Sequence, residues 1–162
     1  MEEFTQKWAI IAPLEDVSDG SEFYYTDIPL HLTLAGIFST YHDGSWLKNE
    51  LTKILFGQSS ISITANKKAM FGPNKDVAVM RIMKEPELTD LYQKIHSWLV
   101  ESGAVYDWPE YEGAGYLPHS TFQKSGSLKE GEIRQIKSVS IIDLFPNGNG
   151  YYRKVLKTIE LE

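Results

Sequence analysis

No cysteine occurs among the 162 residues, which excludes a disulfide framework, a thiol nucleophile and a cysteine-based zinc site together. Basic charge is scarce as well. Sixteen Lys and Arg against 22 Asp and Glu give a formal net charge of −6 and a pI near 5.2. Long nucleic acid is therefore not an expected partner, because gripping it by counterion release needs a basic face. No apolar stretch approaches the roughly 20 residues of a membrane span, and the acidic start Met1-Glu2-Glu3-Phe4-Thr5-Gln6-Lys7 lacks the layout of a signal peptide. A cytoplasmic, monomeric protein with no membrane partner is the expectation. Histidine is also rare, with four in the chain.

Aromatic residues are plentiful at 12%, more than core filling alone requires, which makes some of them candidates for a ligand surface. The length suits one domain spanning 1–162. Lys7 to Ala12 and Leu30 to Phe38 are β-rich runs, and the loop between them carries Phe23, Tyr24 and Tyr25. Ser45 can cap a helix whose apolar positions Leu47, Leu51, Ile54 and Leu55 form one stripe, with Gly57 as its stop. Ile61, Ile63 and Ala65 alternate with polar residues, and the turn Gly72-Pro73-Asn74-Lys75 leads into a second alternating run, Val77 to Met83. After Pro86 the spacing of Leu88, Leu91, Tyr92, Ile95 and Leu99 predicts a long helix ended by Gly103.

An aromatic loop, Trp108 to Leu117, precedes a second histidine strand, Pro118 to Lys124. Ser127 and Glu130 read as the capping box of a short helix. Val139 to Phe145 and Tyr151 to Leu161 then flank Asn147-Gly148-Asn149-Gly150 as a hairpin. Histidine strand, helix and hairpin thus recur, at about residues 30–83 and 118–161. Two half-units too small to bury a core alone would pack about a pseudo-twofold axis, with a shared cleft between them.

Positions i and i+2 of a strand share a face, so His31 with Thr33, and His119 with Thr121, each aim an imidazole and a hydroxyl together. With an unperturbed pKa of about 6.5, one histidine can take a proton while the other gives one. The threonines can hold phosphate oxygens. Zinc takes three or four ligands, so no metal is expected at two histidines without cysteines or His-x-x-x-His spacing. His42, in a turn, and His96, beside the helical stripe, are assigned structural or solvated roles.

The segments Pro29-Leu30-His31-Leu32-Thr33-Leu34 and Leu117-Pro118-His119-Ser120-Thr121-Phe122 resemble the signature of the two-histidine phosphoesterase superfamily, the 2′,5′-RNA ligase-like or LigT-like family. That resemblance implies a bilobal α+β fold, with two antiparallel sheets lining a central cleft and helices outside. It implies catalysis without metal or cofactor, His31 and His119 as general acid and base, and Thr33 and Thr121 as phosphate ligands. Members of the family act on 2′,5′-linked RNA, 2′,3′-cyclic phosphates, ADP-ribose cyclic phosphate, RNA 3′ ends and oligonucleotide immune signals, so the resemblance does not fix the substrate. The expectation is a small nucleotide or a short or cyclic oligonucleotide with a 2′- or 3′-linked phosphodiester. Many relatives resembling the RNA ligase branch carry an arginine soon after a histidine motif. Here Leu34-Ala35-Gly36 and Gln123-Lys124 stand instead.

The loop from Tyr106 to Tyr116 combines rings, carboxylates and glycines ahead of His119 and reads as a base-binding lid through Trp108, Tyr111 and Tyr116. Tyr24 and Tyr25 occupy the corresponding place before His31, so stacking on two bases is the symmetric expectation. Lys124 is the candidate cation; Lys67, Lys68, Arg153 and Lys154 are others. Two further classes are a nucleotide-binding regulatory module and an interaction protein using its exposed aromatics.

Overall fold

Residues 6–162 are described by the computed structural model. The strands are β1 (Trp8–Pro13), β2 (Glu22–Tyr24), β3 (His31–Ser39), β4 (Ile61–Phe71), β5 (Val77–Ile82), β6 (Val105–Tyr106), β7 (His119–Thr121), β8 (Ile133–Ile136), β9 (Ser138–Asp143) and β10 (Tyr152–Glu160). Two helices, α1 (Gly44–Ile54) and α2 (Pro86–Glu101), follow β3 and β5 respectively. The α1 cap is Asp43, just before the helix begins, rather than Ser45: its carboxylate accepts the Trp46 amide at 2.9 Å. In α2, Pro86 takes the first turn and the stripe Leu88, Leu91, Tyr92, Ile95 and Leu99 is buried throughout.

The fold is α+β with two antiparallel sheets. One has the order β2-β10-β9-β1-β3-β6 and the other β7-β5-β4-β8. Each histidine strand lies in a sheet with the hairpin from the far side of the sequence. β3 joins β9 and β10 through β1, and β7 pairs with β5 of the β4–β5 hairpin. Neither sheet can form from one half of the chain.

The short helix expected after Ser127 is not formed. That stretch turns through Gly131, at φ 82°, and enters β8, which pairs with β4. Leu128 is buried in the core, and the Glu132 carboxylate, rather than Glu130, accepts the Lys129 amide at 2.9 Å. A short segment pinned by a core leucine gains more from extending into a sheet ladder than from a helical nucleus of one hydrogen bond.

The main core holds Ile10, Ala12, Leu32, Leu34, Met80 and Ile82 with the buried stripes of both helices. A second, smaller cluster of Ile11, Ile142, Leu144 and Val155, with Phe23 and Ile37 against it, covers the opposite face of the six-stranded sheet. β1 is accordingly buried on both faces. That anchors β3, its hydrogen-bonded neighbour, where the first histidine begins. Among the described residues no helix is long and apolar enough to cross a membrane.

Candidate active site

Both histidine triplets alternate in the same way. His31 and Thr33 are partly exposed around a fully buried Leu32, and His119 and Thr121 around a fully buried Ser120. The middle residue enters the core, so imidazole and hydroxyl face outward together. Each ring turns back on its own chain. His31 Nδ1 lies 2.7 Å from the carbonyl oxygen of Pro29, and His119 Nδ1 lies 2.7 Å from that of Leu117. A carbonyl can only accept, so Nδ1 carries the hydrogen in both rings and the lone pair of each neutral ring is on Nε2.

Burial lowers the pKa of both histidines from the usual value, opposed by the carbonyl hydrogen bonds, and for His31 the charge of His119 lowers it further. The Phe71 and His119 rings meet in an edge-type contact at a centroid distance of 4.8 Å. The Thr33 and Thr121 hydroxyls make no hydrogen bond to protein among the described residues.

Thr33 and His119, one member of each pair, line the same cavity of about 530 Å³. One wall is Phe71, Gly72 and Pro73 at the β4–β5 turn; the other is the loop bearing Tyr106, Trp108, Tyr111, Glu112 and Tyr116. This loop is tied down closely. Tyr116 stacks on Tyr92 at 3.7 Å, Tyr92 on His96 at 5.4 Å and His96 on Tyr106 at 5.7 Å. Glu112 accepts the Gly36 amide at 2.9 Å through one oxygen and the Tyr92 hydroxyl at 2.6 Å through the other. Burial, the largest influence on that carboxyl, raises its pKa despite both hydrogen bonds. His96 thus belongs to the aromatic column behind the cavity. His42 stacks on Trp46 at 3.6 Å, away from it.

Of the aromatics singled out in the sequence, Trp108, Tyr111 and Tyr116 line the cavity. Tyr24 and Tyr25 do not. They contact Tyr152 and Tyr151 at the β2 edge of the six-stranded sheet, because strand alternation puts Phe23 rather than Tyr24 on the side of the inner cluster. Lys124 is ion-paired to Asp27 at 2.6 Å and does not line the cavity either. Sequence reasoning missed Phe71 and Tyr92, whose places depend on the β4–β5 turn and the packing of α2. It also missed Arg81, which pairs across strands with His119. Its signal in the sequence was no more than a polar position in an alternating run.

An α+β fold of two antiparallel sheets, with paired His-x-Thr strands beside one aromatic cavity, defines a LigT-like architecture. Residues 4–138 match the 2′-5′ RNA ligase superfamily, and the chain belongs to that family. Its fold is similar to that of E. coli LigT, seen in complex with NADP+ (TM-score 0.59, 16% identity, covering 98% of this chain and 99% of that one). The complex of the same protein with 3′-AMP gives a TM-score of 0.58 at 17% identity, covering 96% and 98%. A protein of known structure from Thermus thermophilus gives 0.54 at 14% identity, covering 96% and 97%. No curated protein sequence matches this chain.

Proposed function

We propose that the chain is one bilobal phosphodiesterase domain that hydrolyses 2′- or 3′-linked phosphodiester bonds in short or cyclic nucleotides without a metal. The observation that carries this reading is the equal treatment of the two histidines. Each donates from Nδ1 to the carbonyl two residues earlier and keeps Nε2 for chemistry. One neutral imidazole takes a proton from the attacking oxygen, a water or a ribose hydroxyl. The attacking oxygen forms its bond to phosphorus as the bond to the leaving oxygen breaks. The other, protonated imidazole gives its proton to that leaving oxygen. Thr33 and Thr121, with no protein partner for their hydroxyls, donate to the non-bridging oxygens as charge develops there.

The charge of His119, which lowers the His31 pKa, favours the singly protonated pair that such an exchange requires. A base of the substrate enters the aromatic cavity on the Trp108 side, where stacking contributes about 1 to 3 kcal/mol per base. LigT structures with 3′-AMP, NADP+ and ATP are consistent with small nucleotide ligands for this architecture. In reverse, the same acid and base join RNA ends, so ligation is the alternative direction of this chemistry.

The test is turnover of 2′,3′-cyclic mononucleotides, 2′,5′-linked oligoadenylates and cyclic di- and trinucleotides in EDTA, with His31→Ala and His119→Ala as controls. Product from the wild type alone supports the reading and names the linkage. Silence across the panel with measurable nucleotide binding moves the function to a regulatory module.

A further inference from the structure

We propose that Arg81 is a phosphate ligand of this site, its guanidinium holding the non-bridging oxygens of the scissile phosphodiester beside His119. The proposal rests on the phosphodiesterase reading above for its substrate, and on strand geometry for its place. β5 and β7 are antiparallel, and Arg81 stands directly opposite His119. The flanking hydrogen bonds run from the Ile82 amide to the Pro118 carbonyl at 2.9 Å and from the Phe122 amide to the Ala78 carbonyl at 3.0 Å. Arg81–His119 and Val79–Thr121 are therefore non-hydrogen-bonded pairs, whose Cα atoms lie only about 4.5 Å apart and whose side chains share a face.

That face is the one turned away from the main core. Met80 and Ile82, on either side of Arg81, are both buried in the core, so Arg81 projects with His119 and Thr121. Arg81 is exposed on that face, open to a ligand from solvent. The other two arginines of the chain are occupied: Arg134 by Glu132 and the Leu14 carbonyl, and Arg153 by the carbonyls of Leu144, Gly150 and Tyr152. Lys124, the cation singled out in the sequence, is ion-paired to Asp27. The Arg81 side chain has no hydrogen bond, ion pair or ring contact among the described residues.

In a chain of net charge −6, an anionic substrate needs a local cation at the point of chemistry. A planar fork of N–H donors matches the two non-bridging oxygens, whose remaining lone pairs stay open to the threonine hydroxyls. Arg81 itself does not line the aromatic cavity, so it would meet the phosphate at the rim that His119 shares with it.

The experiment is a titration of inorganic phosphate into the wild type, Arg81→Ala and Arg81→Lys, read by NMR at the His119 ring, with kcat/KM measured in parallel at several salt concentrations. Folding of each variant is checked by its thermal midpoint. Arg81→Ala is expected to weaken phosphate binding and lower kcat/KM by roughly tenfold to a hundredfold, with the salt dependence falling by about one phosphate contact. Arg81→Lys should recover part of both losses. Equal phosphate binding in wild type and Arg81→Ala would make Arg81 a solvated surface side chain and overturn the proposal, whether or not a diester is turned over. Arg81-dependent phosphate binding without turnover of any diester would overturn the hydrolase reading and leave the anion site standing.

Discussion

The Tyr116 hydroxyl donates to the main-chain carbonyl of Thr33 at 2.7 Å, joining the loop that delivers His119 to the strand that carries His31. Its ring also stacks on Tyr92 in near-parallel register, so one residue couples α2, β3 and the cavity wall. β3 and β7 lie in different sheets but pack directly on one another, and this contact and the Glu112–Gly36 hydrogen bond add to holding the two histidines in relative position.

Tyr116→Phe keeps the stack and removes the hydrogen bond. The expected stability loss is about 1 kcal/mol, a fall of roughly 2 to 4 °C in Tm for a domain of this size. If the bond aligns the two strands, kcat should fall by more than KM rises. Calorimetry and steady-state kinetics check this, and an unchanged kcat would remove the alignment role.

The two histidines predict an acid-shifted pH profile. Burial holds both folded pKa values below the ordinary 6.5, and His119 lowers that of His31 further. One ring must be charged and the other neutral, so kcat/KM should follow a bell whose maximum lies below pH 6.5. The sign for stability follows from the same shifts. The unfolded chain binds protons more readily, so stability is full above about pH 6.5 and declines as pH falls through the lowered folded values. In His119→Ala the His31 pKa should rise, because one source of positive charge is gone. NMR titration of the His31 ring measures it, and a fall would contradict the coupling.

Gly115 has no room for a side chain. A Cβ there would sit 2.1 Å from the main-chain oxygen of Glu110, which cannot move without opening the loop. Gly115→Ala should cost roughly 1 to 3 kcal/mol and raise KM by displacing Trp108 and Tyr111. Chemical denaturation and kinetics give both numbers, and a variant of wild-type stability would show that the loop has another conformation of equal energy.

The aromatic residues should separate cleanly by position. Trp108→Ala removes a cavity ring that is 58% exposed and ready to stack on a base; KM should rise several-fold or more, with kcat less affected. Tyr24→Ala, at the β2 edge, should leave both constants unchanged. Equal effects of the two substitutions would restore the symmetric arrangement of bases that the paired loops suggested.

The loops before His31 and His119 look equivalent in sequence, and the structure treats them differently for an identifiable reason. Between Tyr106 and His119 the chain crosses in front of α2, where Tyr92 and His96 supply rings to stack on. Before His31 there is a three-residue edge strand instead, and its alternation turns Tyr24 and Tyr25 to neighbours on β10 and its turn. The missing helix after Ser127 has a similar origin, because its capping residues were legible but the open edge of β4 was not.

What the sequence determined by itself is local and periodic. The helical stripes, the alternation that puts each histidine on one face with its threonine, and the turns at Gly72 and Gly148 follow from side-chain spacing and backbone preference within a few residues. The tertiary structure decided what stands opposite what: β5 beside β7, Tyr116 against Thr33, Arg81 across from His119. Those pairings join segments far apart in the chain, and they are selected by burying both faces of β1 and the stripes of two helices at once, a condition that no short window of sequence contains.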